Sequence, residues 1–185
     1  MKRRSVLRTG LKWLAIAVGV LVLAAGLITL IGSMLPEDHV AARSLTLDEP
    51  APAVWAVVRD VGSYHRWWPT VDTVTAMPTA DGTEAWKVDM GPQGSIPMAV
   101  TQSEAPVRLV TTIADTTLPF GGTWTYEIVP LDGGRSRVTV TERGRISSPF
   151  FRFMARFVFG YEGTIESYLG ALAVRFGAAG AELER

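Results

Sequence analysis

Residues 44–61 read SLTLDEPAPAVWAVVRDV, and within them an alternating strand gives way to a helix. Two acids and two prolines mark the first helical turn, where carboxylates suit the positive end of the helix dipole. Val54, Val58 and Val61 then recur on one helical stripe. The pattern predicts a strand over 40–47 followed by a helix, and a short second helix or turn that Pro69 closes.

Between Thr83 and Ile146 the hydrophobic period falls to two, which is typical of strands that are buried on one face. Glycine-rich and Asp-Gly separators, Asp81-Gly82 among them, predict hairpins between the strands. Pro97 suggests that its own strand lies at a sheet edge or a bulge. The inward-facing positions are apolar and aromatic: Trp86, Val88, Met90, Ile96, Met98, Val100, Trp124, Tyr126, Ile128, Val138 and Val140.

The end of the sequence predicts a helix of about 27 residues that starts after Pro149 and covers the apolar face of the sheet. Its stripe includes Phe157 and Tyr161. Phe151 and Phe153 fall off the stripe, and Arg152 and Arg156 are interleaved with them. Such a segment suits the surface of a bilayer. The alternative is that these phenylalanines pack against the short helix that bears Trp67 and Trp68.

Residues 44–61, with Tyr64 and Trp67-Trp68-Pro69, resemble the opening of the START-like (SRPBCC) superfamily of polyketide cyclase/dehydrase and lipid-transport proteins. The segment 122–127 and the hairpin that precedes Glu142 add to the resemblance, which covers about residues 40–177. It implies an α+β helix-grip fold, in which an antiparallel sheet of about seven strands wraps around a long C-terminal helix with a hydrophobic cavity between them. It implies no single function and carries over no catalytic residue.

Composition excludes several classes of protein. The chain has 185 residues, no cysteine and 48% hydrophobic residues, so it is neither a disordered chain nor a disulfide scaffold, a zinc-thiolate protein or a cysteine-nucleophile enzyme. Five basic residues precede Glu37, the first acid, and the rest of the chain has 13 basic and 18 acidic residues. An acidic body of this kind argues against nucleic acid as a partner.

Residues 13–35 carry no charge and are long enough to cross the roughly 30 Å hydrocarbon layer of a membrane at about 1.5 Å per residue. The cations before this run and the acids after it predict a single-pass cell-membrane protein with its N-terminus in the cytoplasm and its C-terminal domain outside. A cleaved signal peptide is the rival interpretation. A small-residue face at Ala15, Gly19 and Gly26 makes a homo-oligomer possible.

The sequence therefore divides into five regions. Residues 1–12 form a basic cytoplasmic N-terminus, 13–35 a transmembrane anchor, 36–39 a linker, 40–177 the START-like domain and 178–185 a tail. The short linker predicts that the folded domain lies against the bilayer.

Candidate chemistry is sparse. His39 and His65 lack the short-spaced second ligand of a metal motif, and the nucleophile-elbow, phosphate-loop and dinucleotide motifs are absent from the sequence. We therefore predict no metal and no cofactor. Glu142 and His65 are weak candidates for an acid or base, since alternation would point Glu142 toward the apolar face, where burial raises a carboxyl pKa. The bland alternative pairs Glu142 with Arg143 or Arg145.

Two functions are consistent with these features. The first is a membrane-tethered domain that binds a lipid-like or polycyclic molecule in an internal cavity, and the alternative is a polyketide cyclase/dehydrase-like enzyme that acts on an apolar substrate. A third possibility is a structural domain whose own side chains fill the cavity. The predicted ligand-binding residues are Trp86, Met98, Trp124, Tyr126, Phe157 and Tyr161.

Overall fold

A computed structural model describes residues 2–79 and 82–184, so Asp81 of the first predicted hairpin lies outside the described residues. Seven strands form one antiparallel sheet in the order β1-β7-β6-β5-β4-β3-β2. They are β1 Asp38–Leu47, β2 Thr73–Met77, β3 Ala85–Asp89, β4 Ser95–Glu104, β5 Arg108–Ile113, β6 Phe120–Leu131 and β7 Arg135–Ile146. The helices are α1 Lys2–Ser33, α2 Ala51–Arg59, α3 Pro149–Met154 and α4 Gly163–Arg175.

This architecture confirms the predicted α+β helix-grip class. The longest ladder pairs β6 with β7 and places Trp124 opposite Glu142, Tyr126 opposite Val140 and Ile128 opposite Val138. Because side chains alternate between the two faces of a strand, all six belong to one face. Tyr126, Ile128, Val138 and Val140 are buried there, as period-two alternation predicts.

Residues 44–61 fold as their pattern predicts. Val54 and Val58 of α2 and Val61 just beyond it are buried in the core. A 3-10 helix, Val61–Arg66, follows α2 and contains Tyr64, which is buried and donates a 2.6 Å hydrogen bond to the Val58 carbonyl.

The predicted 27-residue closing helix is wrong as a single element. After α3, residues Ala155–Phe159 form a π-helical turn, and the helix stops at Gly160 before α4 begins. Gly160 has φ of 75°, which side-chain-bearing residues rarely adopt and which a helix cannot accommodate. Within the closing segment, α4 is the part that buries its side chains in the core, through Ile165, Tyr168, Leu169 and Leu172, all of them fully buried.

A buried arginine holds the start of α4. Arg43 points inward from β1, and its guanidinium contacts the carboxylates of Glu162 and Glu166, the latter at 3.2 Å from Nε. These contacts join the edge strand to the residues that directly follow the break in the helix.

Helix α1 packs against α3 at its C-terminal end. The Pro149 carbonyl of α3 occupies the space that a side chain on Gly32 would need. Arg152, which is buried, donates a 2.8 Å hydrogen bond to the Leu35 carbonyl. Arg152 therefore joins α3 to the end of α1, and of the two arginines predicted to meet headgroups only Arg156 is exposed.

Residues 12–27 of α1 are exposed. Residues Lys12–Ser33 are long and apolar enough to cross a membrane, and the same properties suit a signal sequence. Nothing lies within 4 Å of a side chain added at Gly19 or Gly26. Pairing of helices through this face stays a prediction.

Two further details differ from the sequence pattern. Strand β1 begins at Asp38, and the amide of Ile146 already bonds to the Glu37 carbonyl, so the connection from α1 is residues 34–37 and lies two residues before the predicted linker. Strand β4, which contains Pro97, is internal, and its bulge lies between Val100 and Gln102.

Candidate functional site

A cavity of about 150 Å³ lies between the sheet and α4. Most of its wall is apolar. Strands β3 to β7 supply one wall and the helical side supplies Trp68 and Thr164. The strand residues are Val88, Ile96, Met98, Thr111, Ile113, Phe120, Gly122, Trp124, Tyr126 and Glu142, with Met90 just after β3.

Aromatic rings fill much of the space beside the cavity. Tyr168 of α4 makes edge contacts with Trp68 and Trp124, at ring-centroid distances of 5.1 and 6.0 Å, and lies 5.4 Å from Tyr126. Tyr64 extends the cluster 5.7 Å from Tyr168. Edge-on contacts are the favoured geometry for such rings, so this wall is well packed.

Polar atoms interrupt the apolar wall at two places, the first of them a pair of buried hydroxyls. Thr111 Oγ1 and Tyr126 Oη are fully buried and make no hydrogen bond of ordinary geometry within the described residues. Burial raises the pKa of Tyr126 well above its ordinary value, and the nearby Tyr64 raises it further. Tyr126 is therefore a neutral phenol near neutral pH, able to donate or accept a hydrogen bond.

The second polar place is Glu142. Its Oε1 lies 3.4 Å from Nε2 of His39, and Tyr161 stacks on the His39 ring at a centroid distance of 4.2 Å. The His39 ring occupies the space above Gly144 that any side chain there would need. A carboxylate and an imidazole are thus held together at the cavity wall.

Three of the six predicted ligand-binding residues line this cavity: Met98, Trp124 and Tyr126. Trp86, Phe157 and Tyr161 do not. The Trp86 ring lies against Gly62 and its indole nitrogen donates to Glu84 at 2.8 Å. Phe157 is 59% exposed, because it lies in the π-helical turn before Gly160 and not on α4, which packs over the sheet. The Tyr161 ring stacks on His39.

The two candidate acid–base residues have different positions. Glu142 faces the cavity, as alternation predicts, and pairs with His39, whereas Arg145 pairs with Glu37 at 2.8 Å. His65 is exposed on the 3-10 helix and does not line the cavity.

An open depression of about 340 Å³ adjoins the cavity and shares Ile113, Phe120 and Gly122 with it. It also contains Arg145 and Ser147, which lie next to the connection from α1 and just before α3. Phe120, 38% exposed, therefore lies between the cavity and the end of the domain where α1 attaches.

The segment from α3 through the π-helical turn, residues 149–159, carries a cluster of exposed apolar side chains, which we call the α3 surface. Its members are Phe150, Phe151, Phe157, Val158 and Phe159. Phe153 is half-buried, and its ring centroid lies 4.9 Å from that of Phe157. The alternative in which these phenylalanines pack against Trp67 and Trp68 is wrong for the exposed members, since those tryptophans contact Tyr64 and Tyr168.

Sequence reasoning missed His39, Thr111 and Trp68 as residues of the site. His39 precedes the predicted strand. Thr111 follows Leu109 and precedes Ile113 at alternate positions of β5, so alternation would have marked it as an inward-facing polar residue. Trp68 was assigned only to the short helix, and its indole nitrogen bonds to Ser167 of α4 at 3.0 Å.

Solved structures of similar fold come from bacteria and a plant. A START superfamily protein from Mycobacterium smegmatis matches with a TM-score of 0.59 at 18% identity, over 75% of this chain and 97% of the other. The ZhuI aromatase/cyclase from Streptomyces sp. R1128 matches with a TM-score of 0.61 at 13% identity, over 76% and 94%. Norcoclaurine synthase from Thalictrum flavum matches with a TM-score of 0.60 at 12% identity, over 75% and 94%.

No curated protein matches the chain in sequence. The profile of the family described as polyketide cyclase / dehydrase and lipid transport matches residues 39–177, which is almost the whole of the sheet and its helices. The seven-stranded sheet and the helix packed across it agree with this match, and the chain belongs to the polyketide cyclase/dehydrase and lipid-transport family.

Proposed function

We propose that this protein binds a small hydrophobic molecule in the cavity between the sheet and α4, and that α1 holds the domain against a membrane from which the molecule enters. The observation that carries the proposal is the position of the cavity. It adjoins the depression next to the α3 surface and the end of α1, at the end of the domain where apolar side chains are exposed.

The size of the cavity limits the ligand. A volume of about 150 Å³ holds a molecule of roughly the size of benzene. A polycyclic or long-chain lipid needs more room, so such a ligand requires Trp124 or Trp68 to move. We therefore propose a single-ring molecule or the end of a larger apolar one.

The α3 surface supports contact with a bilayer. Phe151 and Phe159 are 49% and 69% exposed, and Arg156 between them is exposed as well. Aromatic side chains with interleaved arginines suit the boundary between acyl chains and anionic headgroups. Packing of Gly32 against Pro149 keeps this surface next to the last turn of α1.

Methionine residues provide reporters for both parts of the proposal. Met90 and Met98 line the cavity, Met154 belongs to α3, Met34 follows α1, and Met77 lies on β2 at the far edge of the sheet. The full chain, labelled with [methyl-13C]methionine, is placed in nanodiscs that contain doxyl-labelled phosphatidylcholine. We expect paramagnetic broadening at Met34 and Met154 but not at Met77, and benzene should shift Met90 and Met98 but not Met77.

Two double substitutions test whether membrane contact depends on the α3 surface or on exposed apolar side chains in general. Phe151→Ser/Phe159→Ser should reduce the broadening of Met154 severalfold. Val129→Ser/Val174→Ser, which removes two exposed apolar side chains elsewhere, should leave it unchanged. Broadening of Met154 no greater than that of Met77 would contradict membrane contact, and unmoved Met90 and Met98 signals would contradict ligand binding.

A second candidate function is catalysis of a cyclase or dehydrase type. The observation in its favour is the Glu142–His39 pair at the cavity wall, because a carboxylate next to an imidazole can move a proton to or from a bound substrate. Glu142→Gln distinguishes the two functions. A binding protein keeps its affinity for an apolar ligand in this variant, whereas an acid–base enzyme loses turnover.

A further inference from the structure

We infer that the ligand carries an uncharged oxygen, a hydroxyl or a carbonyl, which bonds to Thr111 and Tyr126 inside the cavity. This inference rests on the proposed binding function and names the class of ligand. It begins from two cavity-lining hydroxyls that are buried close to each other and make no hydrogen bond of ordinary geometry among the described residues.

Buried hydroxyls normally have partners, because a polar group removed from water without a replacement bond is costly. Both residues are 1% exposed, so neither hydroxyl meets bulk solvent. They lie on adjacent strands and face the same cavity, since Thr111 pairs with Trp124 and Leu109 with Tyr126 in the β5–β6 ladder. A ligand oxygen between them can accept from one hydroxyl and donate to the other, or accept from both.

The charges around the cavity favour a ligand whose polar group is neutral. Tyr126 is a neutral phenol, and among the described residues that line the cavity Glu142 carries the one ionisable acid or base other than tyrosine. A carboxylate or phosphate ligand would lie near the Glu142 carboxyl group, and no cationic side chain is among the described residues that line the cavity. A phenol, an alcohol or a ketone avoids that repulsion and satisfies both hydroxyls.

The rest of the cavity sets the shape of the molecule. Met98 and Ile113 offer apolar contacts, and the volume of about 150 Å³ leaves room for one ring. The ligand class is therefore a small ring, or the end of a larger apolar molecule, that bears a single hydroxyl or carbonyl.

The test compares phenol with benzene, which have the same ring and differ in the hydroxyl. The full chain, in one detergent at one micelle concentration, is titrated with each probe while the Met90 and Met98 signals are followed. Identical micelles make partitioning of a given probe the same for every variant. The wild-type chain should bind phenol about tenfold more tightly than benzene, which is the effect of one well-formed buried hydrogen bond.

Thr111→Val/Tyr126→Phe keeps the shape of both side chains and removes the two hydroxyls, so we expect the phenol:benzene ratio to fall by about tenfold from its wild-type value. Tyr168→Phe is the matched control. It also removes a buried hydroxyl without a hydrogen-bond partner in the described chain, but Tyr168 does not line the cavity, and the wild-type ratio should persist.

The outcomes separate this inference from the proposed function. Binding of both probes with a ratio that the double variant leaves unchanged would overturn the inference and leave apolar binding intact. Failure of both probes to shift Met90 and Met98 in the wild-type chain would overturn the binding function itself, and this inference with it.

Discussion

At the residue scale, Trp124 limits the size of the cavity. The centroid of its ring lies 6.0 Å from the ring centroids of both Tyr126 and Tyr168, and the side chain lines the space where a ligand would lie. We predict that Trp124→Ala lets the cavity take up a two-ring molecule such as naphthalene, which the wild-type chain excludes. The variant should lower the free energy of unfolding by about 3 kcal/mol, as expected for a large aromatic side chain removed from a core.

Lys87→Ala is the control for Trp124→Ala, because Lys87 is exposed on the opposite face of the sheet. It should change neither naphthalene uptake, followed by the Met90 and Met98 signals, nor stability by more than about 0.5 kcal/mol. If the two substitutions changed uptake equally, the assignment of faces to the sheet would be wrong. Trp124→Leu gives a milder enlargement should the alanine variant unfold.

Individual residues of the site were predictable wherever strand alternation reached them. Met98, Trp124, Tyr126 and Glu142 all face the cavity for that reason. The partner of Glu142 was not predictable, because His39 comes from a distant segment, and only the β1–β7 register places it above Gly144. Pairing between segments about a hundred residues apart has no local signal.

At the element scale, the start of α4 depends on Arg43. This side chain is 6% exposed and contacts the carboxylates of Glu162 and Glu166. We predict that Arg43→Ala lowers the free energy of unfolding by about 1–3 kcal/mol, since it removes the packing of a buried side chain and leaves two half-exposed carboxylates without their cation. Urea unfolding of the full chain, followed by near-ultraviolet circular dichroism, measures the change.

Arg108 provides a matched comparison, because its 3.0 Å pair with Glu127 is substantially exposed on both sides. Arg108→Ala should cost about 0–1 kcal/mol, the usual range for a surface ion pair. An Arg43→Ala variant no less stable than Arg108→Ala would show that the buried contacts do not hold α4 in place.

The elements of the sheet followed from the pattern, whereas the division of the closing helix did not. Phe157 and Tyr161 continue a helical stripe, so periodicity alone extends the helix through Gly160. A glycine inside a helical pattern is only a weak break signal. The positive φ of Gly160 ends the helix here, and Arg43 bonds to Glu162 two residues later.

At the scale of the whole molecule, the orientation of the chain across a membrane stays a prediction. Five cations precede the apolar run and acids follow it, so we expect residues 37–185 outside the cytoplasm. Protease added to intact spheroplasts of an expressing bacterial host should remove the domain. Protection in intact spheroplasts, with cleavage only after permeabilisation, would reverse the orientation.

The overall fold was predictable because residues 44–61 and the alternating strands carry a family pattern. The contact of α1 with α3 was not. It depends on Gly32 having no side chain and on Arg152 reaching the Leu35 carbonyl, and neither feature differs locally from an ordinary apolar helix or a surface arginine.

That joint between α1 and α3 has a mechanical consequence. A domain joined to a membrane helix by a flexible linker samples many orientations. A domain that contacts α1 at both Pro149 and Leu35 rotates together with α1. In a bilayer, the cavity entrance would then stay at constant height above the acyl chains. Capture of a ligand becomes a two-dimensional search, governed by lateral diffusion and by partitioning into lipid, and solubility in water ceases to limit it.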